Sequence, residues 1–256
     1  MGSIERGLRW DGCFNVRDLG GLETASGGRT KHGAVVRADN VRHLTEAGWQ
    51  QALEYGIRRV VDLRFAGESP GEDDAHPGVD VVSVSLFGRH DPDAARAFDE
   101  MLLNADDIGA VFTASYVRTL ERAPHRVAEA VAAVADADEE NGVLIHCFAG
   151  KDRTGIVTAL LLDAVGVHDA AIAADYALSH ANLGGIFDPW VARSRDDDER
   201  ETRLRSALSP AETMEAVLTW LDAAGGSRAY LLDAGLASEQ LDRLDARLVE
   251  ETPATG

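Results

Sequence analysis

The sequence has little cysteine and no long hydrophobic run. Only Cys13 and Cys147 occur among its 256 residues, which excludes a disulfide framework and favours a reducing compartment. Cys13 is interpreted as a buried structural thiol, and the alternative is a redox partner that shields oxidised Cys147 as a disulfide. The longest apolar stretch, 156–167, is interrupted by Asp163 and is shorter than the roughly 20 residues of a membrane-spanning helix. Membrane insertion is therefore not expected.

Positive charge is also scarce. The 25 Lys and Arg residues are outnumbered by 44 Asp and Glu residues, which gives a formal net charge of −19. Nucleic acids and anionic membrane surfaces are bound through many cationic contacts, so neither is expected as a partner. Any attraction for phosphate must be local. The acidic runs 136–140 and 196–199 are interpreted as solvated surface, with metal binding as the alternative.

The N-terminal residues contain no apolar signal core, and Arg6 stands where a myristoylation signal has Ser or Thr. This predicts a cytoplasmic location, with leaderless secretion as the alternative. A chain with 45% hydrophobic residues and no Pro/Gly/Ser linker predicts a single domain over 1–256. Within it, 181–209 mixes Phe187 and Trp190 with Arg and Asp, a composition typical of a movable helical lid or of a surface helix.

Four short runs rich in Val or Ile predict strands, and helical patterns separate several of them. The predicted strands are 34–38, 57–63, 79–86 and 143–147. Thr45 is a predicted N-cap, an apolar stripe predicts a helix around 127–134, and the chain after Thr154 reads as almost wholly helical. Residues 209–212 predict a capping box, and Ser238 opens a last amphipathic helix. The pattern predicts an α/β fold with a mostly parallel central sheet flanked by helices and a helical C-terminal half.

The segment 146–155, His-Cys-Phe-Ala-Gly-Lys-Asp-Arg-Thr-Gly, joins a buried strand to a buried helix. A turn of this kind directs successive backbone N–H groups at one point, to which the helix dipole adds positive charge. These groups favour the thiolate form of Cys147. Five residues separate Cys147 from Arg153, so the guanidinium can face the sulfur and hold two phosphate oxygens. The segment predicts a phosphate loop with a cysteine nucleophile.

The Cys-x5-Arg spacing resembles the signature of the cysteine-dependent protein tyrosine phosphatase superfamily. The longer string 146–154 is similar to the bacterial tyrosine/serine phosphatases, some of which also accept phosphoinositides. The opening Asn-Val-Arg-Asp-Leu-Gly-Gly over 15–21, the residues 36–39 with 44–45, and 60–64 with Glu68 match the same family in order. Weaker matches follow at 175–179 and 230–236. The resemblance implies a tyrosine phosphatase-like fold over most of the chain.

In the reaction predicted from the loop, Cys147 attacks phosphorus to form a phosphocysteine, and Arg153 holds the equatorial oxygens. The predicted phosphate-binding residues are Phe148, Ala149, Gly150, Lys151, Asp152, Arg153 and Thr154. By resemblance, Thr154 assists departure of the thiolate, with an N-cap as the alternative, and His146 orients the loop. Lys151 is predicted at the pocket rim, either near a second phosphate or simply solvated.

The general acid is less evident, because the Trp-Pro-Asp motif of many tyrosine phosphatases is absent from the sequence. The resemblance implies Asp152, and Asp91 or Asp93 are the alternatives. Asp62 supports the site by positioning water or Arg153, or else forms a core ion pair. The cluster Asn15, Arg17 and Asp18 is either a structural turn or a substrate contact.

Together these residues predict a phosphatase that needs neither a metal nor another cofactor and acts on a phosphorylated protein or a small phosphate ester. Phosphotyrosine is the first expected substrate, followed by phosphoserine, phosphothreonine or a phosphoinositide. Three alternatives stay open at this point: a small-molecule phosphatase, a sulfurtransferase with a loop cysteine, and a phosphate-binding module without turnover. The extra loop residues and Arg153 argue against the sulfurtransferase.

Overall fold

The central sheet has five strands in the order β1-β3-β6-β4-β5. The structure, a computed structural model, describes residues 6–65, 68 and 76–250. The sheet strands are Arg17–Asp18 (β1), Val35–Ala38 (β3), Ile57–Asp62 (β4), Asp80–Ser83 (β5) and Gly142–His146 (β6). β1 is antiparallel to β3, whereas the other neighbours are parallel. The short strands Arg29–Thr30 (β2) and Val249–Glu250 (β7) form a separate antiparallel pair.

Eleven helices in the described residues surround the sheet and make up most of the C-terminal half. They are Glu46–Glu54 (α1), Pro92–Asn104 (α2), Ile108–Arg122 (α3), Pro124–Ala135 (α4), Asp152–Ala164 (α5), Asp169–Asn182 (α6), Gly184–Val191 (α7), Asp197–Ser206 (α8), Ala211–Ala223 (α9), Gly226–Asp233 (α10) and Ser238–Leu248 (α11). None of these helices is long and apolar enough to span a membrane. The predicted fold class is confirmed.

Strand β6 lies in the middle of the sheet, and all five of its residues are buried. Its side chains alternate between two cores, as successive residues of a strand must. Val143 and Ile145 join the larger core with α3, α4, α5 and the C-terminal helices. Leu144 joins a smaller core on the other face, with Trp10, Leu44 before α1 and Ala52 within α1. Burial on both faces explains why this strand is a continuous apolar run.

The predicted strands all form, within a few residues of the expected bounds. Thr45 caps α1, because its hydroxyl oxygen accepts from the N–H of Gly48 at 3.2 Å. The predicted capping box at 209–212 is wrong. The Ser209 hydroxyl instead accepts from the N–H of His180 at 2.9 Å and donates to the carbonyl of Ala177 at 3.1 Å, so it serves the end of α6.

Parallel pairing brings the carboxyl ends of three strands together at one edge. Ala38 of β3 and Asp62 of β4 are both register partners of His146, the last residue of β6. Ligand sites of open α/β sheets form outside this edge. The predicted phosphate loop starts there, at Cys147.

Candidate active site

The loop after β6 directs the carbonyl oxygens of residues 147–151 away from its centre, towards donors in the surrounding protein. The acceptors and donors are Cys147 O with His146 Nδ1 (3.0 Å), Phe148 O with Asn40 N (3.0 Å), Ala149 O with Asn15 Nδ2 (2.9 Å), Gly150 O with Asn15 Nδ2 (3.2 Å) and Arg37 Nη2 (2.7 Å), and Lys151 O with Gly155 N (2.8 Å). The N–H groups of 148–151 donate to no described residue. The first N–H groups of α5 have no intrahelical acceptor by geometry. These N–H groups are therefore available to an anion.

Gly150 makes this loop shape possible. Its φ is +65°, a left-handed conformation that other residues adopt only at a cost. A Cβ at this position would also lie 2.2 Å from the carbonyl oxygen of Ala38. The loop backbone thus packs directly against the end of β3, where no side chain could be accommodated.

Cys147 is only 2% exposed and lies in the larger core at the base of the loop. Helix α5 begins at Asp152, with Lys151 as its N-cap residue, so Arg153 and Thr154 lie in the first turn. The alternative reading of Thr154 as the N-cap is wrong, because the helix starts two residues earlier. Thr154 is fully buried, and its hydroxyl has no hydrogen-bond partner among the described residues.

Arg153 is held by a carboxylate to which the sequence assigned no role. Its Nη1 lies 2.7 Å from Oε2 of Glu68, and its guanidinium lies 4.7 Å from the ring centroid of Phe65. Burial opposes the charge of Arg153, but Cys147 and Glu68 raise its pKa above the usual value. The guanidinium is therefore fixed and always charged. The only sequence signal for Glu68 was its place in the family pattern.

Asp62 does not contact Arg153 among the described residues; it pairs with Arg64, whose Nη2 lies 2.6 Å from Asp62 Oδ2. Burial alone would raise the pKa of Asp62, but the hydrogen bonds from Arg64 lower it. His146 Nε2 lies 3.6 Å from Asp62 Oδ1. Burial lowers the pKa of His146 to about 4, so this ring is neutral at pH 7. Its Nδ1 must carry the proton, because the Cys147 carbonyl only accepts.

Asp152 is partly exposed at the start of α5, where the phenol of Tyr116 donates a hydrogen bond to its Oδ1. The alternative general acids are engaged elsewhere. Asp91 caps α2 by accepting from the N–H groups of Asp93 and Ala94. Asp93 is exposed and pairs with Arg96. Of the three predicted candidates, the structure thus places only Asp152 in the loop.

The predictions for Lys151, at the pocket rim or in solvent, are both wrong. Its side chain is 1% exposed, and its Nζ donates to the carbonyls of Ser206 at 2.6 Å and Leu208 at 2.9 Å. The same ammonium lies 3.9 Å from the ring centroid of Phe112. The side chain therefore points away from the loop's anion-facing surface, to the end of α8. Sequence position alone carried no signal for this direction.

The N-terminal motif over 15–21 binds the carbonyl oxygens of the loop through Asn15. Asn15 donates to the loop, as described above, and its own Oδ1 accepts from Arg17 Nη1 at 2.6 Å. Arg17 and Arg37 are both 1% exposed and pair with the fully enclosed Asp175 at 3.1 and 2.7 Å. Among the two readings of this cluster, these contacts favour the structural one. A signal existed in the sequence, since an arginine inside the apolar strand β3 requires a buried partner.

Asp18 and Cys13 lie outside the loop. Asp18 accepts from the N–H groups of Gly20 and Gly33, both at 2.8 Å, and so shapes the turn after β1. Cys13 is partly buried, and its Sγ donates to the carbonyl of Asn40 at 3.7 Å. Burial and the neighbouring Asp39 raise the pKa of Cys13, which disfavours a reactive thiolate. Its redox partnership with Cys147 stays a prediction.

Within the described part of the chain, no group of three or more His, Cys, Asp or Glu side chains is arranged to hold a metal ion. The arrangement can bind a tetrahedral oxyanion between free N–H groups and a fixed guanidinium, beside a cysteine sulfur.

Comparison with known proteins supports the same chemistry. A model of the tyrosine phosphatase family matches residues 8–250. The chain belongs to the tyrosine phosphatase family.

Three relatives span nearly the whole chain. A tyrosine-protein phosphatase of Nostoc commune is 29% identical over 84% of this chain and 74% of its own length. The triple specificity protein phosphatase PtpB of Mycobacterium tuberculosis is 28% identical over 91% and 95%. A putative tyrosine-protein phosphatase of Cupriavidus necator is 32% identical over 89% and 83%. As a member of the tyrosine phosphatase family, the chain is a phosphomonoester hydrolase of the protein-tyrosine-phosphatase type.

Proposed function

We propose that Cys147, Arg153 and Asp152 carry out hydrolysis in two steps. In the first, the Cys147 sulfur attacks phosphorus, the P–O ester bond breaks, and Asp152 gives its proton to the departing oxygen. In the second, water attacks the phosphocysteine, Asp152 takes the proton of that water, and the S–P bond breaks to release phosphate. Over the cycle Asp152 regains its proton, the phosphoryl group leaves as phosphate, and Cys147 is regenerated.

The observation that carries this proposal is the orientation of the loop backbone. Because the carbonyls of 147–151 bind outward, the N–H groups can surround the three equatorial oxygens as their charge changes. Arg153 adds a bidentate cation that Glu68 keeps in place. The unpartnered hydroxyl of Thr154 is free to donate to the sulfur as it leaves in the second step.

The expected substrates begin with aryl phosphates. Phe65, which stacks on Arg153, lies 5.6 Å from the ring of Phe87, and Phe87 and Phe148 are 40% and 48% exposed. Exposed aromatic faces near a phosphate site suit the ring of phosphotyrosine. The relative PtpB is named for triple specificity. Together with the family resemblance of the loop, this name supports phosphoserine, phosphothreonine and phosphoinositides as further proposed substrates. Phosphorylated protein is proposed as the preferred substrate over small esters.

Helices α7 and α8 fall within the predicted lid segment 181–209. The end of α8 is tied to the loop through Lys151, and Gly185 of α7 lies against Phe14, because a Cβ there would be 2.3 Å from its ring. These contacts support a cover over the pocket as part of a single domain. Movement of this cover stays a prediction.

The cytoplasmic location of the protein also stays a prediction.

The test is phosphate release from p-nitrophenyl phosphate with EDTA present. We expect turnover by the wild type, loss to background for Cys147→Ser, and a decrease of about 10²-fold or more for Asp152→Asn. Cys13→Ser, which removes the other thiol, is the matched control and should retain activity. Mass spectrometry of acid-quenched wild type should show one phosphate on Cys147. Full activity of Cys147→Ser, or loss of activity with EDTA, would contradict the proposed mechanism.

A parallel panel of phosphotyrosine, phosphoserine and phosphoinositide substrates, together with a nucleotide and a sugar phosphate, tests the substrate range. The highest kcat/KM is expected for phosphotyrosine peptide. Faster turnover of a nucleotide or sugar phosphate would instead make this a small-molecule phosphatase.

A further inference from the structure

Two buried tyrosines form a hydrogen-bonded chain that ends on the proposed general acid. Tyr116 of α3 and Tyr176 of α6 are 2% and 1% exposed, and their hydroxyl oxygens are 2.8 Å apart. The Tyr116 hydroxyl also contacts Oδ1 of Asp152, the first residue of α5. Residues of α3, α5 and α6 thus form one hydrogen-bonded chain that ends on the Asp152 carboxyl group.

The direction of each hydrogen bond follows from the number of protons. A phenol has one proton, and a carboxylate oxygen can only accept, so Tyr116 donates to Asp152. Tyr116 then has only lone pairs left for Tyr176, and Tyr176 must donate to Tyr116. Burial and the charge of Asp152 raise the pKa of Tyr116 well above its usual value, so this proton stays on the phenol at neutral pH.

The contacts distinguish the two carboxyl oxygens of Asp152. The Tyr116 hydroxyl and the Lys151 ammonium, at 3.3 Å, both reach Oδ1. Among the residues that the structure describes, none forms a hydrogen bond with Oδ2. The Asp152 side chain is 38% exposed, so a substrate can approach the carboxyl group, and Oδ2 is the oxygen without a hydrogen bond from Tyr116.

The surrounding structure makes room for this chain. A Cβ on Gly155 would lie 3.1 Å from Cδ2 of Tyr176, so the glycine after Thr154 lets that ring pack on the first turn of α5. The two tyrosine rings meet edge to face, with centroids 6.1 Å apart. A phenol buried without a hydrogen-bond partner is destabilising. The pair therefore holds a defined geometry next to the loop.

We propose that Tyr116, oriented by Tyr176, is a positioning residue. It donates a hydrogen bond to Oδ1 of Asp152 and so leaves Oδ2 to carry the catalytic proton. This rests on the proposed role of Asp152 as general acid. When the ester bond breaks, the proton moves from Oδ2 to the leaving oxygen, and Tyr116 stabilises the new carboxylate through Oδ1. Neither tyrosine gains or loses a proton in the cycle.

The test is the dependence of kcat/KM on the leaving group, measured with aryl phosphates from dinitrophenyl to unsubstituted phenyl. Proton donation matters most for the most basic leaving group. Tyr116→Phe should lower kcat/KM about tenfold for phenyl phosphate, part of the roughly 10²- to 10⁴-fold contribution of general acids. It should change kcat/KM less than about twofold for dinitrophenyl phosphate. Tyr176→Phe should act in the same direction with a smaller effect.

Tyr230→Phe is the matched control. Its hydroxyl donates to the carbonyl of Leu120 at 2.8 Å, in α3 but apart from Asp152. It should lower the melting temperature without changing the leaving-group dependence. An equal loss for all substrates in Tyr116→Phe, with a lowered melting temperature, would mean a purely structural role and overturn the positioning proposal. If Tyr116→Phe does not fold, an unchanged leaving-group dependence in Tyr176→Phe would overturn it.

Asp152→Asn separates this inference from the function on which it rests. A steep leaving-group dependence in Asp152→Asn combined with wild-type behaviour in both tyrosine variants would refute the positioning role alone. If the dependence of kcat/KM on the leaving group in Asp152→Asn matches that of the wild type, Asp152 is not the general acid, and the positioning role is refuted with it.

Discussion

Lys151 carries a positive charge into the protein interior, where two carbonyls, one carboxylate and an aromatic ring surround it. Burial lowers its pKa, while Asp152 and Cys147 oppose that shift. A buried ammonium is tolerated only with such partners. The Lys151 side chain, which the sequence predicted near the phosphate, therefore links the end of α8 to the loop. Its backbone N–H is the group that remains available to an anion.

His146 makes the stability of the fold depend on pH. Its folded pKa of about 4 lies below the usual value near 6.5. The unfolded state therefore binds the proton first as pH falls, and folding stability decreases with falling pH through this window. We expect the wild type to lose about 2 kcal/mol between pH 7 and pH 5 from this group. Urea unfolding at both pH values measures the loss.

The matched variant is His146→Asn, whose side-chain amide can still donate to the Cys147 carbonyl but does not titrate. Its loss of stability over the same pH interval should be smaller by about that 2 kcal/mol. Equal pH dependence in the two proteins would show that His146 does not contribute.

At the scale of elements, sequence periodicity predicted the longer strands and failed for the shortest. The pattern predicts β3, β4, β5 and β6, because each contains two or more consecutive aliphatic residues. β1, β2 and β7, of two residues each, have no such pattern. Their pairing depends on partners elsewhere in the chain. The sequence pattern does not predict helices α2 and α3 either.

Asp175 of α6 links that helix to β1 and β3 beneath the loop. Burial alone would raise its pKa, but Arg17, Arg37 and Arg6 hold the pKa well below its usual value. Asp175→Asn leaves Arg17 and Arg37 buried without their counter-charge. We expect a loss of about 3–5 kcal/mol in the free energy of unfolding, measured by urea unfolding at pH 7.

Asp136→Asn is the control for this prediction, because Asp136 pairs with Arg243 at the surface. That variant should lose less than about 1 kcal/mol. The stabilisation by Asp175 is present above pH 4 and decreases as pH falls below the usual aspartate pKa. A loss as small as that of Asp136→Asn would contradict the role of the buried cluster.

At the scale of the whole molecule, a net charge of −19 surrounds a site proposed for phosphate dianions. The long-range field therefore repels the substrate, and salt screens that repulsion within a Debye length of about 8 Å at 0.15 M. We expect kcat/KM for p-nitrophenyl phosphate to rise as NaCl increases from about 0.01 to 0.15 M. Steady-state kinetics at constant pH measures it.

A phosphotyrosine peptide with basic flanking residues provides the comparison. Attraction to the acidic surface should make its kcat/KM fall over the same range of salt, whereas a peptide with acidic flanks should follow p-nitrophenyl phosphate. Identical salt dependence for the two peptides would show that the surface charge does not influence association.

Residues 146–155 predict a phosphate loop without reference to the rest of the chain, since strand, turn and first helical turn are contiguous there, and the Val- and Ile-rich runs predict the fold class. Local geometry of that kind is encoded in local residues. The groups that support the loop come from distant parts of the chain and are brought to it by folding: Asn15 donates to Ala149 across 134 positions, and Tyr116 to Asp152 across 36. Such partners are chosen by how helices and strands pack, and no spacing along the chain specifies that packing.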